Sequence, residues 1–229
     1  MSEPTAVLAT PFLVGLTGGI GSGKTSAADI LGARGAFVVD VDQISRELTA
    51  MGGDAVSAIA QAFPSVVHDG IIDRTLLRQI VFADTTKRQA LESILHPLIG
   101  IETSKLIESN EAHAASYVLL VVPLLFESDR YAERIDCAVV IDVDEIDQIA
   151  RVTASRNIDE SSVAKIISAQ LPREARLRRA QFVIDNRGDR KALERQLVEL
   201  HSVLCANARQ SRELRVSAQP KSQSTEAMS

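Results

Sequence analysis

The chain contains no tryptophan, and phenylalanine and tyrosine leave it only 3% aromatic. Base-stacking platforms of the kind that hold single-stranded nucleic acids are therefore poorly supplied. Two cysteines in 229 residues, Cys137 and Cys205, cannot build a disulfide framework and show no metal-ligand spacing. Long apolar runs are missing too. The longest, residues 118–126, is broken by Pro123, whereas a membrane-spanning helix needs about 20 residues. No lysine or arginine precedes Lys24, so the positive start of a secretory signal is absent. These absences lead us to expect a cytoplasmic protein with buried, reduced thiols and neither a membrane nor a nucleic acid as partner.

The composition is that of an ordinary globular protein: 45% of residues are hydrophobic and 24% charged. A chain of this length removes about 70–75% of its unfolded surface from water. The net charge of −5 conceals an asymmetry. Residues 1–146 carry 10 Lys and Arg against 20 Asp and Glu, whereas residues 147–195 carry 11 against 7. A basic segment within an acidic protein suits a local anion site better than a nucleic-acid groove.

Buried-strand patterns occur at residues 12–17, 36–41, 117–122, 137–143 and 182–185. Helical spacing predicts helices from Gly23, over 145–155, 160–170 and 173–180, and from Asp189 to about Ala208. Nearly continuous apolar strands separated by helices indicate a parallel sheet covered on both faces. The stretch between the second and third strands is too long for a crossover and reads as a helical insertion. Residues 1–10 read as a frayed leader. Beyond Arg209 the chain loses apolar periodicity, and a disordered tail is expected there.

The strongest motif lies between the first strand and the first helix. Gly18, Gly23, Lys24 and Thr25 satisfy G-x-x-x-x-G-K-S/T, with Gly19 and Gly21 as additional glycines. Glycines let the backbone turn tightly and aim successive N–H groups at an anion. The helix N-terminus adds partial positive charge, Lys24 can reach the β- and γ-phosphates, and the Thr25 hydroxyl can coordinate Mg²⁺. A mere connecting turn would not need all these features. ATP and Mg²⁺ are the expected ligands.

No asparagine is followed by lysine, so the guanine-reading N-K-x-D of GTPases is missing. The third strand leads into Pro123 instead of the Asp-Glu of motor ATPases. A small-molecule kinase remains. Its base candidates are Asp40 and Asp42, at the C-terminal end of the second strand, where α/β sheets hold ligands. Strand alternation puts both on one side, although either residue alone can simply cap the following helix, which Asp42 immediately precedes. The basic element is residues 148–179, with Arg151, Arg156, Lys165, Arg173, Arg176, Arg178 and Arg179. Guanidinium groups over a transferring phosphoryl stabilise transition-state charge. The plainer fate, a solvated helical face, is open to at least half of them.

These residues together resemble the bacterial dephospho-coenzyme A kinase family over residues 12–205. The resemblance rests on TGGIGSGK (17–24), DVDQISR (40–46), LHPLI (95–99), VPLLFE (122–127), AQLP (169–172) and FVIDNRG (182–188), in that order. It implies a P-loop kinase fold of the nucleoside-monophosphate-kinase type: a parallel five-stranded sheet covered by helices, a helical substrate-binding insertion and a helical lid. The corresponding segments are a core over 1–46, 114–146 and 181–208, an insertion over 47–113 and a lid over 147–180, with the tail at 209–229.

The activity it implies is phosphorylation of the ribose 3′-hydroxyl of dephospho-CoA by ATP, in a monomer or weak homo-oligomer. Asp42 would be the catalytic base, with Lys24 and Arg156 also catalytic. ATP would be held by Gly18, Gly19, Ile20, Gly21, Ser22, Gly23, Lys24, Thr25 and Ser26, with Asn186 and Gly188 near its adenine. Asp40, His96, Pro97, Leu125 and Glu127 would bind the acceptor, and Thr25, with Asp40 through water, the Mg²⁺. His96-Pro97 can instead simply start a helix, and Leu124-Leu125-Phe126 can simply be core. The chain departs from the family pattern at Thr25, where Ser is commoner, and at Lys165, which stands at an arginine position. A nucleoside or nucleoside-monophosphate kinase, or a slowly hydrolysing nucleotide switch, are the competing readings.

Overall fold

In the computed structural model, whose described residues are 10–127, 129–156 and 158–217, the five apolar stretches form one parallel sheet. Its strands are β1 (Leu13–Gly18), β2 (Phe37–Asp40), β5 (Val118–Val121), β6 (Cys137–Asp142) and β7 (Phe182–Asp185). Their spatial order is β2-β5-β1-β6-β7. The registers Leu16↔Val121 and Gly18↔Ile141 bring the C-terminal ends of the three central strands to one edge of the sheet. An antiparallel pair, β3 (Val67–His68) with β4 (Ile71–Ile72), stands apart in the insertion.

Alternation along the strands sorts the core onto two faces. Val14, Leu16, Leu119, Val121, Val139 and Ile141 face α1 (Lys24–Gly32) and α11 (Arg190–Ser217). Leu13, Val118, Leu120 and Ala138 face the insertion. Between β2 and β5 the chain forms α2 (Val41–Leu48), α3 (Val56–Ala62), a 3₁₀ turn at Pro64–Val66, the β3–β4 pair, α4 (Arg74–Ala83), α5 (Thr85–Ile107) and α6 (Asn110–Ala114). The short α7 (Asp129–Ala132) follows β5. Then α8 (Glu145–Arg156), α9 (Glu160–Ser168) and α10 (Arg173–Arg179) link β6 to β7. Cys137 is buried in β6, which pushes its thiol up to about 12. Cys205 is half-buried, and neither is disulfide-bonded.

Two expectations need correction. The insertion is not wholly helical: Asp69 and Gly70 both take positive φ, 51° and 76°, and close a tight hairpin between β3 and β4. Nor does order end near Ala208, since α11 runs to Ser217. Leu193, Leu197, Leu200, Leu204 and Ala208 bury one stripe of this helix, each leucine contributing about 1.5–3 kcal/mol. Beyond that stripe polar anchors replace apolar ones. Arg212 donates to Ala115 O at 2.7 Å, and Arg215 donates to Thr10 O and to Asp136, both at 2.6 Å. Apart from Thr10, the expected frayed leader lies outside the described residues, as do residues 218–229 of the tail.

Candidate active site

The loop between β1 and α1 is shaped by what surrounds it. Gly21 and Gly23 sit at φ 69° and 96°, a region costly for any residue with a β-carbon. Space is also withheld: a β-carbon on Gly19 would stand 2.6 Å from Gln148 Oε1, and one on Gly21 2.8 Å from Val152 Cγ2. One on Gly23 would collide with the Asn186 amide. The loop is thus pressed between the start of α8 and the exit of β7. Asn186 Nδ2 donates to Ser22 O at 2.7 Å, and Arg151 Nη2 donates to Asn186 O at 2.8 Å.

A cleft of about 590 Å³ opens over this loop. Ile20 to Thr25 line it with Asp40, Asp42, Arg46, Arg151 and Gln170. Lys24 Nζ curls back onto Gly18 O at 2.8 Å and Gly19 O at 2.9 Å. Ile20 N donates to Gln170 Oε1 at 3.3 Å. The Ser22 hydroxyl and Gln148 Oε1 are buried without a hydrogen-bond partner among the described residues. A glycine cradle, a lysine and the N-terminus of α1 converging on one cleft fit a polyphosphate. Among the described residues no three His, Cys, Asp or Glu cluster as a metal cage. The oxygen donors on the cleft, the Thr25 hydroxyl and the Asp40 carboxylate, are of the kind Mg²⁺ takes beside substrate phosphates.

The two aspartates do not share a strand. β2 ends at Asp40, whose Oδ1 accepts the amides of Asp42 and Gln43 at 2.8 and 3.2 Å and so caps α2. Of the two possible caps, it is Asp40 that takes the role. Asp42 stands in the first helical turn, exposed. The register Asp40↔Val121 brings this turn beside the end of β5, where Thr17 Oγ1 donates to Pro123 O at 3.1 Å.

A second pocket, of about 350 Å³, lies beyond Asp42. Its walls include Val41, His96, Ile99, Leu124, Glu127 and Tyr131. Asp42 and Pro123 line both this pocket and the nucleotide cleft. The structure thus brings His96 and Glu127 into one pocket with Asp42. Glu127 Oε1 also accepts Leu171 N at 2.8 Å, tying the pocket wall to the segment between α9 and α10. Leu125 is a correction: it is fully buried in the core under Gly15, and its neighbour Leu124 is the pocket residue. Pro97 is inside α5 and is not among the lining residues, so His96-Pro97 does not start a helix.

The basic segment divides by partner. Arg173 grips Asp142 with Nε and Nη2 at 2.8 and 2.6 Å and reaches Asp144 at 3.0 Å. Arg179 donates to Phe126 O at 2.6 Å. Arg176 is buried, and loss of water pulls its guanidinium below the ordinary value against the opposing fields of Glu127 and Asp142. Arg173 thus ties α10 to the end of β6, and Arg179 ties it to the turn after β5. Arg151 faces the cleft; Arg156 ends α8, and its side chain lies outside the described residues. Ser26 and Gly188 are exposed and do not line the cleft, and Asn186 braces the loop from behind. Arg46, Arg151 and Gln170 do line it. Arg46 and Gln170 sit inside the DVDQISR and AQLP motifs, which were the available signal.

A polyphosphate cradle at the edge of a five-stranded parallel sheet, with an acceptor pocket joined to it at a carboxylate, defines a P-loop kinase. A sequence model of the dephospho-CoA kinase family matches residues 12–192, and the chain belongs to that family. It is 46% identical to the dephospho-CoA kinase of Chromobacterium violaceum, over 85% of this chain and 95% of that protein. Identity to the enzyme of the same name from Aromatoleum aromaticum is also 46%, over 86% and 96%. The crystal structure of TT1252 from Thermus thermophilus superposes with a TM-score of 0.73 at 30% identity, covering 86% of this chain and 99% of that one.

Proposed function

We propose that the protein transfers the γ-phosphoryl group of ATP to the ribose 3′-hydroxyl of dephospho-CoA, giving ADP and coenzyme A. The observation that carries the mechanism is the position of Asp42, on the wall shared by the two cavities. A hydroxyl presented from the acceptor pocket and a γ-phosphate presented from the P-loop meet at this carboxylate. The new bond forms between the 3′-oxygen and the γ-phosphorus as the bond to the β–γ bridging oxygen breaks. The 3′-hydroxyl proton passes to Asp42. Among the described residues no helix is long and apolar enough to cross a membrane, and we read the protein as a cytoplasmic enzyme.

The P-loop amides and the N-terminus of α1 hold the β- and γ-phosphates. Lys24 leaves the carbonyls of Gly18 and Gly19 to join them. Arg151, which lines the nucleotide cleft, is the residue we assign to the charge on the transferring group, and the family resemblance adds Arg156, also carried on α8. Thr25 and Asp40 would hold Mg²⁺, which when bound neutralises charge developing on the phosphates.

Asp42→Asn tests this directly. The change removes the base and leaves the Asp40 cap intact. Turnover should fall at least about 10²-fold, with ATP affinity and melting temperature nearly unchanged. Asp40→Asn should show a defect that shrinks as Mg²⁺ is raised, and Asp42→Asn should not. An Asp42→Asn enzyme retaining more than about a third of its turnover would remove the base assignment.

A further inference from the structure

The first turn of α8 packs a glutamine against the phosphate loop, and half of its carboxamide goes unpaired there. Gln148 is 1% exposed. Its Nε2 donates to Val143 O at 3.1 Å, which fixes the orientation of the amide, because only the NH₂ end can donate to a carbonyl. Oε1 is thereby turned to the loop, 2.6 Å from where a β-carbon on Gly19 would stand. A β-carbon on Gly21 would meet the Gln148 carbonyl at 3.0 Å, so residues 19–21 wrap closely around this one residue. Yet Oε1 has no hydrogen-bond partner among the described residues. A wall that merely supported the loop would serve better as leucine or methionine, because a buried acceptor without a donor is destabilising.

The missing donor lies in the loop itself. Ser22 is also 1% exposed. Its hydroxyl, which has one proton to donate, is likewise without a partner among the described residues. Ser22 Oγ stands 2.6 Å from where a β-carbon on Gly18 would be, just as Gln148 Oε1 does for Gly19. A donor and an acceptor, each unpaired, thus flank the peptide between Gly18 and Gly19. The carbonyls of these same two residues are the ones that Lys24 Nζ holds, at 2.8 and 2.9 Å. While Lys24 sits there, that peptide is pinned. Once Lys24 has moved to a phosphate, the peptide can turn and the two groups can meet.

We infer that Gln148 is a positioning residue of the phosphate loop, and that the Ser22 hydroxyl donates to Gln148 Oε1 only when phosphates have drawn Lys24 off Gly18 and Gly19. The inference rests on ATP occupying this loop. Sealed behind the loop, Gln148 touches no substrate and acts through the backbone that carries the phosphate-binding amides. The nucleotide-free loop is then the under-bonded state, and part of the affinity for ATP comes from a bond made inside the protein. A ligand shifts such an equilibrium by its preference for one of the two poses.

The test is a double-mutant cycle on Gln148→Met, Ser22→Ala and the double variant. ATP binding is read by titration calorimetry with Mg²⁺ and without the acceptor. Each single change should raise the dissociation constant about fivefold, the worth of one neutral hydrogen bond. The double variant should also lose about fivefold, and not the roughly 25-fold product of two independent losses. The Gln148 tie to Val143 O is lost with and without nucleotide alike, so it cancels from the binding constant. Ser22→Ala breaks no side-chain bond of the nucleotide-free loop. Its melting temperature without nucleotide should stay within about 1–2 °C of wild type, while the rise brought by ATP shrinks. KM for dephospho-CoA at saturating ATP should not move. Multiplicative losses in the double variant would overturn the inference, as would a Ser22→Ala melting temperature that falls as far without nucleotide as with it. Should Gln148→Met fail to fold, unchanged ATP binding in Ser22→Ala is enough to overturn it. If the wild-type protein takes up no ATP in this titration, the reading of the loop itself fails; wild-type binding with indifferent variants removes only the role of Gln148.

Discussion

The nucleotide half and the acceptor half of this site are built in opposite ways. The P-loop is a single run of residues, 18–25, braced from outside by Gln148, Val152 and Asn186. The acceptor pocket has no such run. It is assembled from α2, α5, the exit of β5 and α7, elements that span residues 41–131. A phosphate needs backbone amides in sequence, and therefore a contiguous loop. An organic acceptor needs walls, which any packed elements can supply. Substitutions should therefore separate the two halves sharply, and neighbouring residues in the acceptor half should have unlike effects.

The largest of these contrasts is Leu124 against Leu125. Leu125→Ala leaves a void in a fully buried position and should cost about 2–5 kcal/mol of stability, read as a lower melting temperature. Leu124→Ala should leave the melting temperature within a degree or so, because surface changes are usually within about ±0.5 kcal/mol. It should instead raise KM for the acceptor. Exchanged behaviour would mean that the pocket wall has been assigned to the wrong leucine.

Next in size is the end of α11, which covers the sheet face behind the P-loop. Truncation after residue 208 removes the Arg212 and Arg215 anchors. Hydrogen bonds to a charged group are worth about 1.5–3 kcal/mol, and each kcal/mol shifts the midpoint by about 2–4 °C in a domain of this size. A fall of several degrees is expected, with both KM values unchanged. No fall would mean the last turns of α11 contribute nothing to stability.

The smallest effect concerns the brace on the nucleotide half. Asn186→Ala removes the bond to Ser22 O, worth about 1 kcal/mol. KM for ATP should rise about fivefold and KM for dephospho-CoA should not move. A rise in both would show that the β7 exit supports the whole site.

The same contrast explains what could be read from the sequence. The strands were legible because each is an apolar run: the three central ones are buried throughout, and the edge strands β2 and β7 keep their valines although Val38 and Val183 face solvent. The P-loop was legible because its chemistry fixes residue types at fixed spacing. Asp40 and Asp42 both line the nucleotide cleft, but strand alternation did not apply to the pair, because which one caps α2 depends on where β2 stops, and periodicity does not mark that within a residue. Leu124 and Leu125 look alike until the turn after Pro123 sends one to the core. The last turns of α11 were missed because arginines reaching backbone carbonyls leave no hydrophobic pattern. The β3–β4 hairpin announced its turn at Asp69-Gly70, but its two-residue strands were too short to register.

The identity of the acceptor is tested most directly by ADP release from ATP and Mg²⁺ with dephospho-CoA, AMP, uridine or buffer alone. The expected result is stoichiometric ADP with dephospho-CoA and little with the others. ADP formed equally fast without dephospho-CoA, or faster with AMP or uridine, would contradict it.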